Sequence, residues 1–325
     1  MDRPDLSIVI PLYNEAGTLV ELHQRLARVL ETMTMRAEII FVDDGSQDAT
    51  AEMLTSLAAL DPSIRALRLA RNFGQTAALA AGFDFARGGV IVAMDGDLQH
   101  APEEIPKLVA KLDEGYDLVS GWRERRVDGY WTRRLPSRIA NWLMAKLSGV
   151  PLRDFGTTLK AYRAPVIKRI RLHGDLHRFI PALASWDGAR IAEVSISSVQ
   201  RPFDQSHYGL SRTWKVMADL ITVRYLLRYV TRPLHLFGPI GFGSFGVGMF
   251  MLVGLLAHKL VDGGDIFFAH GPLMLLGLLL VQTGVMLIGF GLMAELMTRI
   301  YMDGRERRIY TVAEIIPGSR EELEV

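Results

Sequence analysis

The sequence predicts an α/β domain with a mostly parallel sheet, followed by interfacial amphipathic helices and two transmembrane helices. Three observations lead there. Between residues 1 and 205, short runs rich in β-branched residues alternate with helical patterns, as in a sheet covered by helices on both faces. Two later windows, Leu236–Ala257 and Gly271–Ala294, hold no ionisable side chain, and each exceeds the roughly 20 residues needed to cross a bilayer. Arginines flank these windows (224, 228 and 232 before, 299, 305, 307 and 308 after), whereas the stretch 258–270 has Lys259 as its only lysine or arginine.

In order, Ser7–Pro11, Glu38–Asp43, Ala66–Ala70, Val90–Asp95 and Asp117–Ser120 read as strands, the third and fifth with the weaker pattern. Helices are expected near 16–33, 48–60, 75–87 and 102–114. Pro102 followed by Glu103 and Glu104 is a favourable helix start, because proline in the first turn gives up no hydrogen bond and acidic groups face the positive end of the dipole. Over 222–232, three arginines recur at helical spacing opposite Val223, Leu226, Leu227 and Val230, the pattern of a helix lying on anionic headgroups. In the first apolar window, glycines at 238, 241, 243, 246, 248 and 254 suit close helix packing in lipid. The resulting map is a cytoplasmic α/β domain (1–205), juxtamembrane amphipathic helices (206–235), two spans with a short external loop (236–297) and a cytoplasmic tail (298–325). The tail alternates like a strand as far as Ile316 and is expected to augment a neighbouring subunit. The positive-inside rule places both termini in the cytoplasm, so the protein is expected in the inner (plasma) membrane.

Composition narrows the function. Charged residues make up 22% of the 325 and hydrophobic ones 49%, which excludes disorder. Lysine plus arginine (37) nearly cancels aspartate plus glutamate (36), so a general nucleic-acid binder is not expected. With no cysteine, disulfides, thiolate metal sites and cysteine nucleophiles are all excluded.

The carboxyl ends of parallel strands collect ligands, and here they are acidic. The first strand runs into Pro11-Leu12-Tyr13-Asn14-Glu15, the second into Asp43-Asp44-Gly45-Ser46, and the fourth into Asp95-Gly96-Asp97-Leu98-Gln99-His100. Neither a Gly-x-Gly-x-x-Gly nor a Gly-Lys-Ser/Thr element is present, which argues against dinucleotide-binding and P-loop sites. In an extended segment Asp95 and Asp97 point the same way. Their oxygens suit a hard ion, Mg²⁺ or Mn²⁺, shared with substrate phosphates. Gly96 between them is expected to let a diphosphate approach the backbone.

These three motifs resemble those of family 2 glycosyltransferases with the GT-A (Rossmann-like) fold, and among them the polyprenyl-phosphate glycosyltransferases, a branch that includes dolichol-phosphate mannose synthase. The resemblance covers nearly the whole chain. It implies a metal-dependent, inverting enzyme that moves a sugar from a nucleotide diphosphate, UDP by preference, to a polyprenyl phosphate, and that assembles as a homo-oligomer, a tetramer by resemblance. Carried onto this sequence, it places Pro11, Tyr13 and Glu15 along the nucleobase, Asp44 and Ser46 near base and ribose, Asp95 and the catalytic Asp97 on the metal, and Gln99 close by. The basic aromatic segment after the fifth strand offers Arg123, with Arg133, Arg134 or Arg138, to the acceptor phosphate, which arginine forks recognise well. In Asp154-Phe155-Gly156-Thr157-Thr158-Leu159-Lys160, the resemblance makes Asp154 the catalytic base and Lys160 a phosphate contact. A phosphate monoester is mostly ionised at neutral pH, so Asp154 is instead expected to orient the nucleophile or the sugar. The competing readings are a GDP-mannose-dependent mannose synthase and a non-catalytic membrane scaffold that keeps a nucleotide-binding fold.

Overall fold

The computed structural model describes residues 3–123, 141, 144–146, 149–172, 176–197, 234–262, 266–303 and 309–318. The chain divides into two compact units, one formed by residues 1–220 with 308–325 and the other by 221–307.

The first unit is built on one sheet of eight strands: β1 (Leu6–Leu12), β2 (Ala37–Asp43), β3 (Ile64–Leu69), β4 (Val90–Ala93), β5 (Leu118–Arg123), β6 (Lys160–Arg163), β7 (Ile191–Ile196) and β8 (Val312–Ile316). Their spatial order is β7-β5-β6-β4-β1-β2-β3-β8. Strands β4, β1, β2 and β3 run parallel, with Leu6 beside both Ala37 and Val90. Strand β6 is antiparallel to both β4 and β5, and β7 is parallel to β5. The five strands expected from sequence are all present, with ends displaced by a few residues.

Alternation along β1 explains how the sheet is covered. Leu6, Ile8, Ile10 and Leu12 pack on one face with Leu19, Leu22 and Leu26 of α1 (Leu19–Thr32), Leu54 of α2 (Thr50–Leu60) and Leu108 of α4 (Ile105–Asp113). Val9, Ile40 and Val42 face the other side, towards α3 (Gln75–Phe85). Strands buried on both faces must be apolar throughout, as these runs are. Helix α3 is rich in alanine and lies close to the sheet. A Cβ added at Gly82 would stand 2.1 Å from a methyl carbon of Val9.

The tail strand β8 pairs antiparallel with β3 of its own chain, Arg68 opposite Glu314 and Ala66 opposite Ile316. The expectation that it augments a neighbouring subunit gives way to this intrachain pairing. The physical reason is the free edge of β3, whose unpaired N–H and C=O groups are a template for a strand. Tyr310 secures the approach by donating its hydroxyl hydrogen to Asp84 at 2.8 Å.

The second unit contains α5 (Leu234–Asp262) and α6 (Ile266–Asp303), packed as a hairpin. Both contain windows long and apolar enough to cross a membrane, Leu234–Val261 and His270–Met297. Their outer surfaces are apolar and open, with Phe250 81% and Leu296 61% exposed. A water-soluble helical core buries such residues; these helices leave them bare, as a membrane-associated protein does. Two of the six glycines expected to pack closely do so across the hairpin. A Cβ at Gly241 would lie 3.0 Å from the Gly284 carbonyl oxygen, and one at Gly248 only 2.6 Å from that of Gly277. Positions 243, 246 and 254 have open space instead. The interfacial helix expected over 222–232 lies outside the described residues.

Candidate active site

The loops after β1, β2 and β4 converge at the carboxyl edge of the sheet and are tied together by hydrogen bonds. The Asn14 N–H donates to Ser46 Oγ at 2.9 Å, and Asn14 Oδ1 accepts the Gln47 N–H at 2.8 Å. Asn14 has a φ of +57°, a left-handed conformation that asparagine tolerates better than most residues. The Thr18 hydroxyl stands 2.9 Å from Glu15 Oε2 and 3.1 Å from the Gly96 carbonyl oxygen, which links the first loop to the Asp95–Asp97 loop. Pro11 is half-buried in β1, whereas the Tyr13 ring is 42% exposed beside these loops.

Asp44 is engaged locally. Its two oxygens accept the Phe73 and Gly74 N–H groups, each at 2.8 Å, so it clamps the turn leading into α3. Burial pushes its carboxyl above the ordinary value, against the pull of those two bonds. Ser46 is buried, with its own N–H donated to Asp43 at 2.9 Å.

Asp95 and Asp97 form the acidic centre. Asp95 accepts hydrogen bonds from Gln75 Nε2 at 2.6 Å and from the Thr158 hydroxyl. Burial, reinforced by the Asp97 carboxylate, pushes the Asp95 carboxyl up to about 6. Asp97 Oδ1 accepts the Gln99 N–H at 3.0 Å. Leu98 between them has a φ of +58°, unusual for a large side chain and a typical mark of strain stored at a functional site. Gly96 serves packing: a Cβ there would meet Leu12 Cδ2 at 2.2 Å.

The turn 154–158 connects this centre to a second one. Asp154 is 1% exposed, and its carboxylate receives Arg123 through two bonds, Nε to Oδ2 at 2.8 Å and Nη2 to Oδ1 at 3.2 Å. Its Oδ1 also accepts the Gly156 N–H at 3.1 Å. Residues expected in separate roles, Arg123 on the acceptor phosphate and Asp154 as the catalytic carboxylate, are thus a bidentate pair, its carboxylate buried and its guanidinium partly exposed. The guanidinium keeps further N–H donors on its other edge. Lys160, at 2% exposure, donates its ammonium to the Thr157 carbonyl. Burial drops its pKa to about 8, although Asp154 and Asp95 pull it upward. His100 is buried too, with Nε2 3.5 Å from Thr157 Oγ1 and Nδ1 unpartnered. Burial and the Arg123 charge lower it to about 4, so it is neutral. Arg133, Arg134 and Arg138 lie outside the described residues.

Sequence reasoning missed three supports: Gln75, the Thr158 hydroxyl and Glu193, which accepts the Arg153 and Asp154 N–H groups at 2.6 and 3.1 Å. Gln75 had a signal, since it opens a helix directly after Gly74 at a strand's carboxyl end. Thr158 and Glu193 had none, because their partners are distant in sequence.

The donor set fits a hard divalent cation. Two carboxylates share one loop, one of them with a raised pKa, and a cation between them relieves the repulsion. Among the described residues no three His, Cys, Asp or Glu cluster as a metal cage; Mg²⁺ or Mn²⁺ held here would take its remaining ligands from phosphate oxygens and water.

Residues 7–171 match the family model described as glycosyl transferase family 2, and the chain belongs to this family of sugar-transferring enzymes. Within it, the chain is 40% identical over 315 residues to dodecaprenyl-phosphate galacturonate synthase of Rhizobium johnstonii, covering 96% of this chain and 93% of that protein. The fold is that of glucosyl-3-phosphoglycerate synthase from Mycobacterium tuberculosis. Its complex with uridine diphosphate is 20% identical, with a TM-score of 0.52, covering 68% of this chain and 80% of that one. Its complex with Mn²⁺, uridine diphosphate and glucosyl-3-phosphoglycerate is 19% identical, also at 0.52, covering 69% and 80%.

Orientation of Asp95 by Gln75 and Thr158 leads to a measurable expectation. Support of this kind typically contributes 10–100-fold to metal affinity. Thr158→Val should weaken Mn²⁺ binding, measured calorimetrically with UDP as co-ligand, by about tenfold or more. An unchanged affinity would show that the hydroxyl does not orient Asp95.

Proposed function

We propose that this enzyme transfers a sugar from a nucleotide diphosphate to the phosphate of a membrane polyprenol, with UDP the donor nucleotide and Mg²⁺ or Mn²⁺ held by Asp95 and Asp97. The observation that carries this is the juxtaposition, through the 154–158 turn, of a metal-suited acidic pair and a clamped guanidinium. One centre suits a diphosphate, the other a second phosphate. The galacturonate relative and the two apolar helices support a lipid-linked acceptor, and the UDP and Mn²⁺ complexes of the structural relative support the donor.

The chemistry is one substitution. An acceptor phosphate oxygen forms a bond to the anomeric carbon from one face while the carbon–oxygen bond to the diphosphate breaks on the other, so the centre inverts and the nucleoside diphosphate carries away the electron pair. When bound, the cation neutralises charge on the departing diphosphate, a contribution of several kcal/mol. Pro11 and Tyr13 flank the base, with Glu15 tied to the Asp95–Asp97 loop. Ser46 lies near the ribose, and Gln99 holds Asp97 in place. Arg123 binds the acceptor phosphate through its outer edge while Asp154 fixes the guanidinium plane, so Asp154 is a positioning residue. Lys160 keeps a positive charge beneath both anionic substrates. Arg133, Arg134 and Arg138 belong to the same acceptor reading.

The decisive experiment is a donor screen with the purified enzyme, undecaprenyl phosphate and radiolabelled UDP-galacturonate, UDP-glucose or GDP-mannose. Label should pass into the organic phase from a UDP-sugar, and Asp97→Ala should abolish it. Transfer from GDP-mannose alone would replace the donor; no lipid-linked product from any donor would refute the acceptor.

If Asp154 positions Arg123, Asp154→Asn should lower turnover by less than a hundredfold, since general-base catalysis typically contributes about 10²–10⁴. Both forms should gain activity near pH 6 as the acceptor phosphate ionises, in a constant ratio. A deficit that shrinks steadily from pH 6 to 9 would instead identify a base.

Both termini are assigned to the cytoplasm and the short interhelical loop to the outside. Cysteines substituted at positions 262 and 322 of this cysteine-free chain should label from opposite sides of intact cells with an impermeant maleimide. Labelling of both from outside would overturn the topology.

A further inference from the structure

Strand order around the site constrains where a transferred sugar lies. Strand β6 stands between β5 and β4, and its first residue, Lys160, pairs with Ala93 on one side and Ser120 on the other. Strand β4 leads into the Asp95–Asp97 loop, whereas β5 ends at Arg123. With the diphosphate at the first and the acceptor phosphate at the second, the sugar between them spans two strand spacings of about 4.8 Å each. Its path crosses the buried Lys160.

A further cation acts at this point. Burial does most to lower the Lys160 pKa, and the charges of Arg123 and then Arg178 lower it more. Arg178 belongs to a short turn, Leu176–Phe179, that packs against α3. The turn is pinned on both sides of it. Before Arg178, His177 Nδ1 lies 2.7 Å from the hydroxyl oxygen of the buried Thr76. After it, Phe179 is buried and Ile180 joins the core that contains Ala77 and Ala81 of α3. Thr76 directly follows Gln75, whose side chain grips Asp95. Arg178, half-buried, is thereby tied to the donor side of the site.

We propose that Arg178 receives a carboxylate on the transferred sugar, so that the enzyme selects a uronic acid over the neutral hexose of the same configuration. The inference rests on the donor and acceptor reading given above and adds a residue that determines specificity. A cation at Asp95 and Asp97 offsets the departing diphosphate, and Arg123 offsets the acceptor phosphate. Arg178 brings a separate positive charge, and the sugar crossing Lys160 is the part of the substrates that meets it. A guanidinium matches a carboxylate through two parallel hydrogen bonds. The hydroxymethyl group of a neutral hexose offers it one uncharged oxygen, a weaker return for the water given up. A site built around one polar group of a substrate rejects the analogue that lacks it.

The test uses the full-length protein in detergent with undecaprenyl phosphate and Mn²⁺. It compares kcat/KM within two matched pairs, UDP-galacturonate with UDP-galactose and UDP-glucuronate with UDP-glucose. In the pair it uses, wild type should prefer the uronate by about tenfold or more, as a charge-assisted hydrogen bond allows. Arg178→Met should remove most of that preference, and Arg178→Lys, which keeps the charge and loses the fork, should fall between the two. Arg178→Gln reads the same ratio if Arg178→Met does not fold. A wild type that uses both sugars alike, or prefers the neutral one, would overturn the inference and leave the transferase reading standing. So would variants that keep the wild-type ratio, whether both sugars decline together through structural damage or the KM for undecaprenyl phosphate rises through loss of an acceptor contact. If wild type transfers from none of the four UDP-sugars, the donor reading fails and this inference with it.

Discussion

Two carboxylates in one loop at the end of a buried strand repel each other, and much of the site is arranged around that repulsion. Asp95 is gripped by Gln75 from one side and Thr158 from the other, while the Lys160 ammonium lies buried beneath. Even so, desolvation and Asp97 keep the Asp95 carboxyl near 6. A divalent ion would remove the conflict, and the left-handed Leu98 is a conformation that persists only because the surroundings impose it. The neutral, buried His100 adds no further charge to a crowded locus.

The same logic governs the Arg123–Asp154 pair. A buried carboxylate without a partner is costly, and removing one member of a buried pair strands the other. Arg123 satisfies Asp154 with one edge, which leaves further N–H donors on the other. Glu193 then fixes the backbone that carries Asp154. The acidic and cationic centres meet in five consecutive residues: Asp154 accepts Arg123, Thr157 faces His100, and Thr158 grips Asp95.

The parallel core was legible because strands buried on both faces have to be written as apolar runs, as in Ser7–Pro11 and Glu38–Asp43. The acidic loops were legible because they sit immediately after those runs. Less readable was anything joined only in three dimensions. Nothing in the local pattern around Thr158 or Glu193 names a partner some 40 to 60 residues away. The partner of β8 was misread for the same reason. An alternating segment announces a strand but not its neighbour, and the edge that takes it lies on the far side of two apolar helices in sequence. At Gly96 nothing in the sequence signalled the neighbour that a side chain there would meet, Leu12 of β1.

The pairing of β3 with β8 also sets an order of events during synthesis. The residues opposite Arg68 are translated only after the whole apolar hairpin, so the sheet waits with one edge unsatisfied until they emerge. Long-range closure of this kind is slow, because loop entropy is lost before the contact rewards it. An exposed edge in the interval is an invitation to wrong partners. A fragment cut before the hairpin for the sake of solubility makes that interval permanent, because β3 never meets its partner strand.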